Sequence, residues 1–344
     1  MKIRGKFRRF AKVRPQWSAL GFGLIGLLGS IASTSTPALA SGSSAQSDGS
    51  GPKLLKPLSL LPVKVGSYPQ LWYSPLNLPP MPGDPNPNDG TWAPSGTGSG
   101  QGYATFATYV SPYPGAPQVA VAWINQQYAK IALFAGTSQP GGTWPNQGAI
   151  PAASDSSLIG AFDGGFLFAQ AQGGWYEAGK TAIPLVNNAA SVVEYGDGTV
   201  NIGSWGTDVT MTPEVYAVRQ NLIPLVAQGQ VTPAAQFNPL TTWGFSLGQL
   251  LYTWRSGLGI TAQGNLIWVG GPGLSPEALG QVLVWAGAIR GMQLDINPDW
   301  VNYASYNYSL AQGVTGTNLL ASMHFAPSHY LVGFWRDFFG VFLR

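Results

Sequence analysis

The chain of 344 residues contains no cysteine, and only 9% of its residues are charged. The absence of cysteine excludes disulfides, a thiol nucleophile and a zinc–thiolate site. The shortage of charge excludes a coiled coil, a charged disordered chain and a helix bundle rich in Glu and Lys. In their place stand 46 Gly, 28 Pro, 13 Trp and 14 Tyr. This composition favours a β-rich body with many turns.

The formal net charge of +3 misrepresents most of the chain. Residues 1–40 hold seven of the 17 Lys and Arg residues and none of the 14 Asp and Glu residues. Residues 41–344 therefore have ten basic and 14 acidic side chains, a net charge of −4. A slightly acidic body lacks the basic surface that binds phosphate backbones. We expect no nucleic-acid partner.

Residues 1–40 have the pattern of a signal peptide. A basic stretch precedes the apolar run Ala19–Ala32, and Ala38-Leu39-Ala40 forms a small-x-small cleavage site. The run is too short to span a bilayer comfortably, and no later segment approaches a transmembrane length. We predict a mature chain that begins near Ser41, is secreted or held in the cell envelope, and has no integral membrane span. An uncut N-terminal anchor is the alternative.

The remaining chain divides by composition. Residues 41–100 are a Ser/Gly/Pro-rich linker and wrap, with eleven prolines from Pro52 to Pro94, a density that neither a helix interior nor a central strand accepts. Residues 101–344 are predicted to form one compact α+β domain. Its sheet is mostly antiparallel or mixed, with a few flanking helices.

Local signals place several elements of this domain. Asp197-Gly198 predicts the tight turn of a hairpin over residues 191–204. Ser275, followed by a proline and an apolar stripe of helical period, predicts a helix from residue 276. A second helix is predicted near Pro298, and a strand over Leu250–Thr261.

Clustered charges are informative in a chain with so few of them, because an unpaired buried ion costs several kcal/mol. Arginines and aspartates lie inside otherwise apolar or glycine-rich segments, namely Asp163, Arg219, Arg255, Arg290, Asp295, Arg336 and Asp337. A carboxylate opposite an arginine suits acid–base catalysis or anion binding. The alternative is that Arg255–Asp295 and Arg336–Asp337 are structural ion pairs.

Several motifs, in order, resemble the phosphodiester glycosidase family. They are FDGGF at Phe162–Phe166, AVRQN at Ala217–Asn221, WRSGLGIT with Gly264 and Leu266, and the segment Gly287–Asn297 that ends in QLDIN. The similarity covers roughly residues 103–341. The sequence departs from the family pattern in two places: Asp163 stands where the family has Asn, and Ile296-Asn297-Pro298-Asp299-Trp300 replaces the family's Gly-Gly-Gly-Ser, with its glycine triplet. The resemblance therefore implies hydrolysis but not the family's substrate.

What the resemblance implies is a secreted glycosidase that cleaves a glycosyl phosphodiester or a related envelope or exopolysaccharide linkage. The implied catalytic residues are Asp295, Asp163 and Arg255, and the implied substrate-binding residues are Arg219, Asn221, Gly164, Gly165, Asn297 and Trp300. The carboxylates would stabilise a cationic sugar carbon or activate water, and the arginines would hold the phosphate. The partner is a carbohydrate or sugar phosphate, with no metal and no cofactor.

Two other functions remain open. A non-catalytic glycan-binding envelope protein could retain the same fold, an interpretation that the lost glycine triplet favours. A serine hydrolase could use Ser246 within Gly244–Gly248, which fits G-x-S-x-G, together with a downstream Asp and His. The preceding residues, however, lack the buried strand that this motif requires.

Overall fold

A computed structural model describes residues 75–81, 89–100, 102–237 and 239–344. The predicted signal peptide and residues 41–74 of the predicted linker lie outside the described residues. All the described residues belong to one compact unit, Val65–Arg344. The boundaries at residues 40 and 100 stay predictions.

The described chain is dominated by short strands. The strands are β1 (Ala93–Pro94), β2 (Thr105–Val110), β3 (Val119–Ile124), β4 (Ala129–Phe134), β5 (Leu158–Asp163), β6 (Trp175–Glu177), β7 (Lys180–Ile183), β8 (Ala190–Tyr195), β9 (Val200–Ser204), β10 (Val215–Gln220), β11 (Val226–Ala227), β12 (Gln230–Val231), β13 (Thr253–Thr261), β14 (Leu266–Leu274), β15 (Ala288–Ile296), β16 (Tyr303–Ser309), β17 (Gly313–Asn318) and β18 (Phe338–Leu343). The α-helices are α1 (Phe168–Ala171), α2 (Pro239–Thr242), α3 (Pro276–Trp285) and α4 (His329–Val332). Single 3-10 turns occur at Ala152–Ser154, Pro233–Ala235 and Leu247–Gln249.

Within the described residues these strands form three sheets. The first has eight strands in the order β1-β2-β3-β14-β13-β15-β11-β12, the second runs β7-β6-β10-β8-β9, and the third runs β17-β16-β5-β18-β4. The paired strands of all three sheets are antiparallel. The hairpin predicted over residues 191–204 is confirmed as β8 and β9, with Gly198 at φ 77°.

The α+β prediction is wrong, because the fold is β-rich. Only α3 exceeds a single turn; α1, α2 and α4 have four residues each. No helix starts at Pro298, where Asn297 has φ 78° and the chain turns toward β16. The apolar faces of the three sheets cover one another. Helices are therefore needed on only one face of the first sheet.

The predicted helix from residue 276 is confirmed as α3. The Ser275 hydroxyl accepts a hydrogen bond from the Ala278 N–H at 3.0 Å, as an N-cap does. Its apolar stripe packs on β13, where a Cβ on Gly257 would lie 3.2 Å from Leu279 Cδ2. Glycine in WRSGLGIT thus allows the helix to approach the sheet closely. The opposite face of β13, including Leu258, packs in the core shared by the three sheets.

Two buried glutamates lie on the second sheet. Glu177 and Glu194 are the residues opposite Ala217 on its two neighbouring strands. Both are buried, with exposed fractions of 0% and 6%. Burial raises the pKa of Glu177 to about 7 and that of Glu194 to about 8. Both groups therefore stay protonated in the folded chain up to a higher pH than an exposed glutamate does.

Replacing both with glutamine should flatten the pH dependence of stability. A folded-state pKa above the unfolded value near 4.3 stabilises the fold at acid pH, and this contribution is lost as the pH rises through about 7 to 8. We expect Tm to fall less between pH 5 and pH 9 in Glu177→Gln/Glu194→Gln than in the wild type, measured by scanning calorimetry. Exposed Glu214→Gln is the control. Equal falls in Tm for all three proteins would contradict this prediction.

Candidate functional site

A cavity of about 350 Å³ opens beside the carboxyl-terminal ends of β5 and β15. Its walls combine aromatic rings, amide side chains and one pair of opposite charges, namely Phe166, Phe245, Trp300, Gln170, Gln172, Asn297, Asp295 and Arg336. Rings that cover a sugar face and amides that bond its hydroxyls are suited to a polar, ring-shaped ligand. This cavity is the candidate site.

A β-bulge between β13 and β15 aims Asp295 at this cavity. Arg255 pairs with Ile296 and Gly257 pairs with Gln293, so that Ser256 alone faces both Leu294 and Asp295. Strict alternation would put Asp295 on the face of Gln293. The extra residue instead brings it to the face of Ser256, whose Oγ accepts a hydrogen bond from the Asp295 N–H at 3.0 Å.

Arg336 is the ion-pair partner of Asp295. One of its Nη2 hydrogens is donated to Asp295 Oδ2, and Nη2 also donates to the Gly165 carbonyl at 2.6 Å. The guanidinium lies 4.6 Å from the centre of the Trp300 ring, within range of a cation–π contact. Burial raises the pKa of Asp295 to about 6 although Arg336 opposes this shift. Asp295 is therefore mostly ionised at neutral pH.

Asp163 lies behind Asp295 and does not line the cavity. Its Oδ2 accepts a hydrogen bond from the Ser256 hydroxyl at 2.5 Å, and its Oδ1 accepts one from the Asn302 N–H at 3.3 Å. Burial, followed by the nearby charge of Asp295, raises the pKa of Asp163 to about 8. Ser256 thus links a carboxyl group that is mainly protonated at neutral pH to the strand that carries the ionised one.

Arg219 forms a second buried ion pair, with Asp337. Its Nε donates to Asp337 Oδ2 at 2.7 Å, and its Nη2 donates to the Phe166 carbonyl at 2.5 Å. A Cβ on Gly164 would lie 2.2 Å from Asp337 Oδ2, and one on Gly165 would lie 3.2 Å from Arg219 Nη2. The glycine pair therefore makes room for the Arg219–Asp337 ion pair behind the cavity. The side chains of Arg219 and Asp337 and the two glycines do not line the cavity wall.

Asn221 also supports the wall from behind. Its Oδ1 accepts a hydrogen bond from the Phe166 N–H at 3.1 Å, and its Nδ2 donates to the carbonyls of Gln293 and Leu294, each at 2.9 Å. These bonds join the Gly-Gly turn after β5 to the bulge of β15. Asn221 is fully buried. It fixes the position of cavity residues and does not itself reach the cavity.

Arg255 points away from the cavity. Its Nε donates to the Leu274 carbonyl at 3.0 Å, and its Nη1 donates to the Trp243 carbonyl and to Gln293 Oε1, both at 2.9 Å. No carboxylate among the described residues pairs with it. Burial lowers its pKa to about 9. Neither ion pair suggested by the sequence forms, since Asp295 pairs with Arg336 and Asp337 pairs with Arg219.

The segment that replaces the glycine triplet supplies two cavity residues. Asn297 and Trp300 both line the wall, but the Asn297 amide holds the neighbouring loop, accepting from the Leu247 N–H at 2.8 Å and donating to the Phe245 carbonyl at 3.2 Å. Trp300 packs edge-on against Trp335, with ring centres 5.7 Å apart. Trp300 therefore contributes its ring to the cavity wall, whereas both ends of the Asn297 amide already bond the protein backbone.

Two features of the site were not predicted from the sequence. One is the role of Ser256 between the two aspartates, and the other is the position of Arg336 in the cavity wall. The charged pair Arg336-Asp337 within an aromatic segment was a usable signal, but it suggested an internal pair. Ser256 gave no signal, because its role depends on the bulge in the neighbouring strand.

No group of three or more His, Asp or Glu side chains in the described part of the chain could hold a metal ion.

The described structure does not support a serine hydrolase. Ser246 follows the short helix α2 rather than a strand, and its hydroxyl donates to the Leu250 carbonyl at 2.6 Å rather than to a histidine. His324 instead lies 3.6 Å from Asp299 at the surface.

In the part of the chain that the structure describes, no helix is long and apolar enough to cross a membrane.

Ser256→Ala should destabilise the fold, because Asp163 and the Asp295 N–H each lose a buried partner. We expect the free energy of unfolding to fall by about 2 kcal/mol, measured by urea denaturation at pH 7. The half-buried Ser157, whose hydroxyl bonds only the Ser154 carbonyl, provides the control Ser157→Ala. Equal losses in the two variants would show that Ser256 does not link the two carboxyl groups.

No family model matches the chain, and neither does any curated protein sequence. Among solved structures, the chain is similar to the zebrafish N-acetylglucosamine-1-phosphodiester alpha-N-acetylglucosaminidase catalytic domain auto-inhibited by its pro-peptide, at 13% identity and a TM-score of 0.44, over 73% of this chain and 86% of that one. A hypothetical protein from Synechocystis has 13% identity and a TM-score of 0.39, over 70% and 62% of the two chains. A Burkholderia pseudomallei protein described as exported has 11% identity and a TM-score of 0.30, over 61% and 76%. These are distant similarities of fold alone.

Proposed function

We propose that the chain is an exported glycosidase that hydrolyses a glycosyl phosphodiester, or a related linkage of an envelope glycan or exopolysaccharide. The observation that carries this proposal is the Asp295–Arg336 pair at the wall of an aromatic and amide-lined cavity. The motif resemblance around Asp295 supports the same reaction. The signal-like residues 1–40, the linker over residues 41–100 and the domain over residues 101–344 complete the proposed organisation.

A single ionised carboxylate at the cavity wall fits a phosphate leaving group. Most glycosidases use two carboxyl groups, one of which protonates the departing sugar oxygen. A phosphate ester has a second pKa near 6 and leaves as a stable anion, so it needs a cationic partner more than a proton. Among the lining residues that the structure describes, Arg336 supplies the positive charge.

The proposed reaction is hydrolysis at the anomeric carbon of the sugar. The bond between the anomeric carbon and the phosphate oxygen breaks, and its electron pair leaves with the phosphate beside Arg336. Asp295 stabilises the cationic carbon and accepts a proton from the attacking water, which a pKa near 6 permits at neutral pH. Water supplies the new hydroxyl group of the sugar. Trp300 stacks on the sugar face.

The remaining predicted residues take positioning roles in this proposal. Asp163 orients the bulge through Ser256, and Arg219, Asn221, Gly164 and Gly165 hold the turn after β5 against it. Arg255 braces the opposite face of β13. Of the predicted catalytic residues, we therefore retain Asp295 alone as catalytic, with Arg336 added as the phosphate-binding residue.

A non-catalytic glycan-binding envelope protein is the second candidate. The observation that favours it is the commitment of the Asn297 amide to the loop at Phe245 and Leu247, where a glycine-rich segment would leave backbone N–H groups free for a ligand. The aromatic and amide wall would still bind a sugar. This candidate predicts binding without turnover.

Asp295→Asn should abolish turnover and retain substrate binding. We expect kcat to fall at least about 100-fold, because a general base contributes 10² to 10⁴, on a panel of synthetic glycosyl phosphodiesters assayed for released sugar. Loss of the buried pair also lowers Tm, so activity is measured at a temperature where circular dichroism shows the variant folded. Asp299→Asn, at a half-exposed carboxylate, is the matched control.

Two results would decide against the enzyme. The first is unchanged kcat in folded Asp295→Asn. The second is no release of sugar from any diester by the wild type while glycans still bind, which is the outcome expected of the second candidate.

A further inference from the structure

The segment Phe245–Tyr252, called here the apolar segment, presents large apolar side chains to solvent. Phe245 is 69% exposed, Leu247 63%, Leu250 57% and Tyr252 52%. Single exposed apolar residues are ordinary, but a cluster of them marks an interaction site. The sequence predicted a strand from Leu250, whereas β13 begins only at Thr253. This stretch is therefore not used to build the sheet.

Hydrogen bonds hold the apolar segment in this orientation. The buried Ser246 hydroxyl donates to the Leu250 carbonyl at 2.6 Å, and the Asn297 amide bonds the backbone at Phe245 and Leu247. At the far end, the Tyr252 ring packs edge-on against Tyr113, with ring centres 5.5 Å apart. The polar groups are thus satisfied inside, and the apolar side chains are directed outward.

The apolar segment is continuous with the candidate cavity. Phe245 lines the cavity that Asp295 and Arg336 also line. From Gln220 to Trp254 the chain contains no Asp, Glu, Lys, Arg or His. A ligand whose charged part lies at Arg336 therefore meets an uncharged, apolar surface as it leaves the cavity on this side.

We infer that the apolar segment binds the hydrocarbon tail of an amphiphilic glycosyl phosphodiester, with the sugar and phosphate in the cavity and the tail over Phe245, Leu247 and Leu250. The position of the head group rests on the proposed function. The substrate class is then a lipid-linked sugar phosphate, and the apolar segment selects for the length of the tail.

The test compares ethyl phosphate with dodecyl phosphate below its micelle concentration, titrated calorimetrically into the full chain. We expect dodecyl phosphate to bind at least about tenfold more tightly, since each methylene group that leaves water favours binding. Leu247→Ser/Leu250→Ser should reduce this difference to about threefold or less. Leu310→Ser/Val332→Ser, at two exposed apolar side chains outside the cavity and the apolar segment, should leave it unchanged.

Equal affinities for the two phosphates, or a tail preference that survives Leu247→Ser/Leu250→Ser, would overturn the inference. Two other outcomes would also overturn it, because each shows a different partner on the apolar segment. One partner is a lipid surface: the chain sediments with phosphatidylcholine vesicles, Leu247→Ser/Leu250→Ser does not, and free phosphates show no preference. The other partner is a second copy of the chain: ultracentrifugation detects a dimer that Leu247→Ser/Leu250→Ser abolishes. If the tail preference holds but no diester is hydrolysed, the proposed function fails and the tail site stands.

Discussion

One extra residue in β15 determines the chemistry of the cavity. Because Leu294 and Asp295 together face Ser256, the Asp295 carboxylate turns to the side of the sheet where Arg336 lies. Without that bulge, the same carboxylate would share the face of Arg255 under α3, in a packed core with no opening. The bulge itself is held by the Ser256 hydroxyl and by Asn221, which bonds the carbonyls at Gln293 and Leu294.

The buried charges at the cavity wall and behind it form an interacting series. Asp337 pairs with Arg219 and Asp295 pairs with Arg336, while Asp163, whose pKa is raised to about 8, adds a carboxyl group that is mainly neutral at pH 7. Each ionised group thus has an opposite charge, which a buried ion requires. Within this series, Asp295 and Arg336 reach the cavity wall. The others fix the geometry of that pair.

The sequence was most informative where local chemistry determines the structure. Asp197-Gly198 predicted its hairpin and Ser275-Pro276 predicted the start of α3, because turns and helix caps depend on neighbouring residues. The second helix at Pro298 was wrong, and the strand predicted over Leu250–Thr261 forms but begins only at Thr253. The Asn297 amide ties the turn at Pro298 to the loop at Phe245 and Leu247. Tertiary contacts there override local preference.

Of the site residues predicted from the sequence, Asp295, Asn297 and Trp300 line the cavity, whereas Arg219 and Arg255 do not. The sequence does not reveal a β-bulge, and a shift of one residue in strand register moves a side chain to the other face of the sheet. Arg255 was therefore matched with Asp295, although it braces the far side of the sheet. The roles of Gly164 and Gly165 as space for Asp337 and Arg219 likewise depend on strands distant in sequence.

Double-mutant cycles on the free energy of unfolding test this arrangement most directly. One cycle combines Asp295→Asn with Arg336→Gln, and the other combines Asp295→Asn with Arg255→Gln, each followed by urea denaturation at pH 7. The arrangement predicts a coupling energy of about 2 kcal/mol for Asp295 with Arg336 and at most about 0.5 kcal/mol for Asp295 with Arg255. A large coupling to Arg255 and none to Arg336 would contradict it.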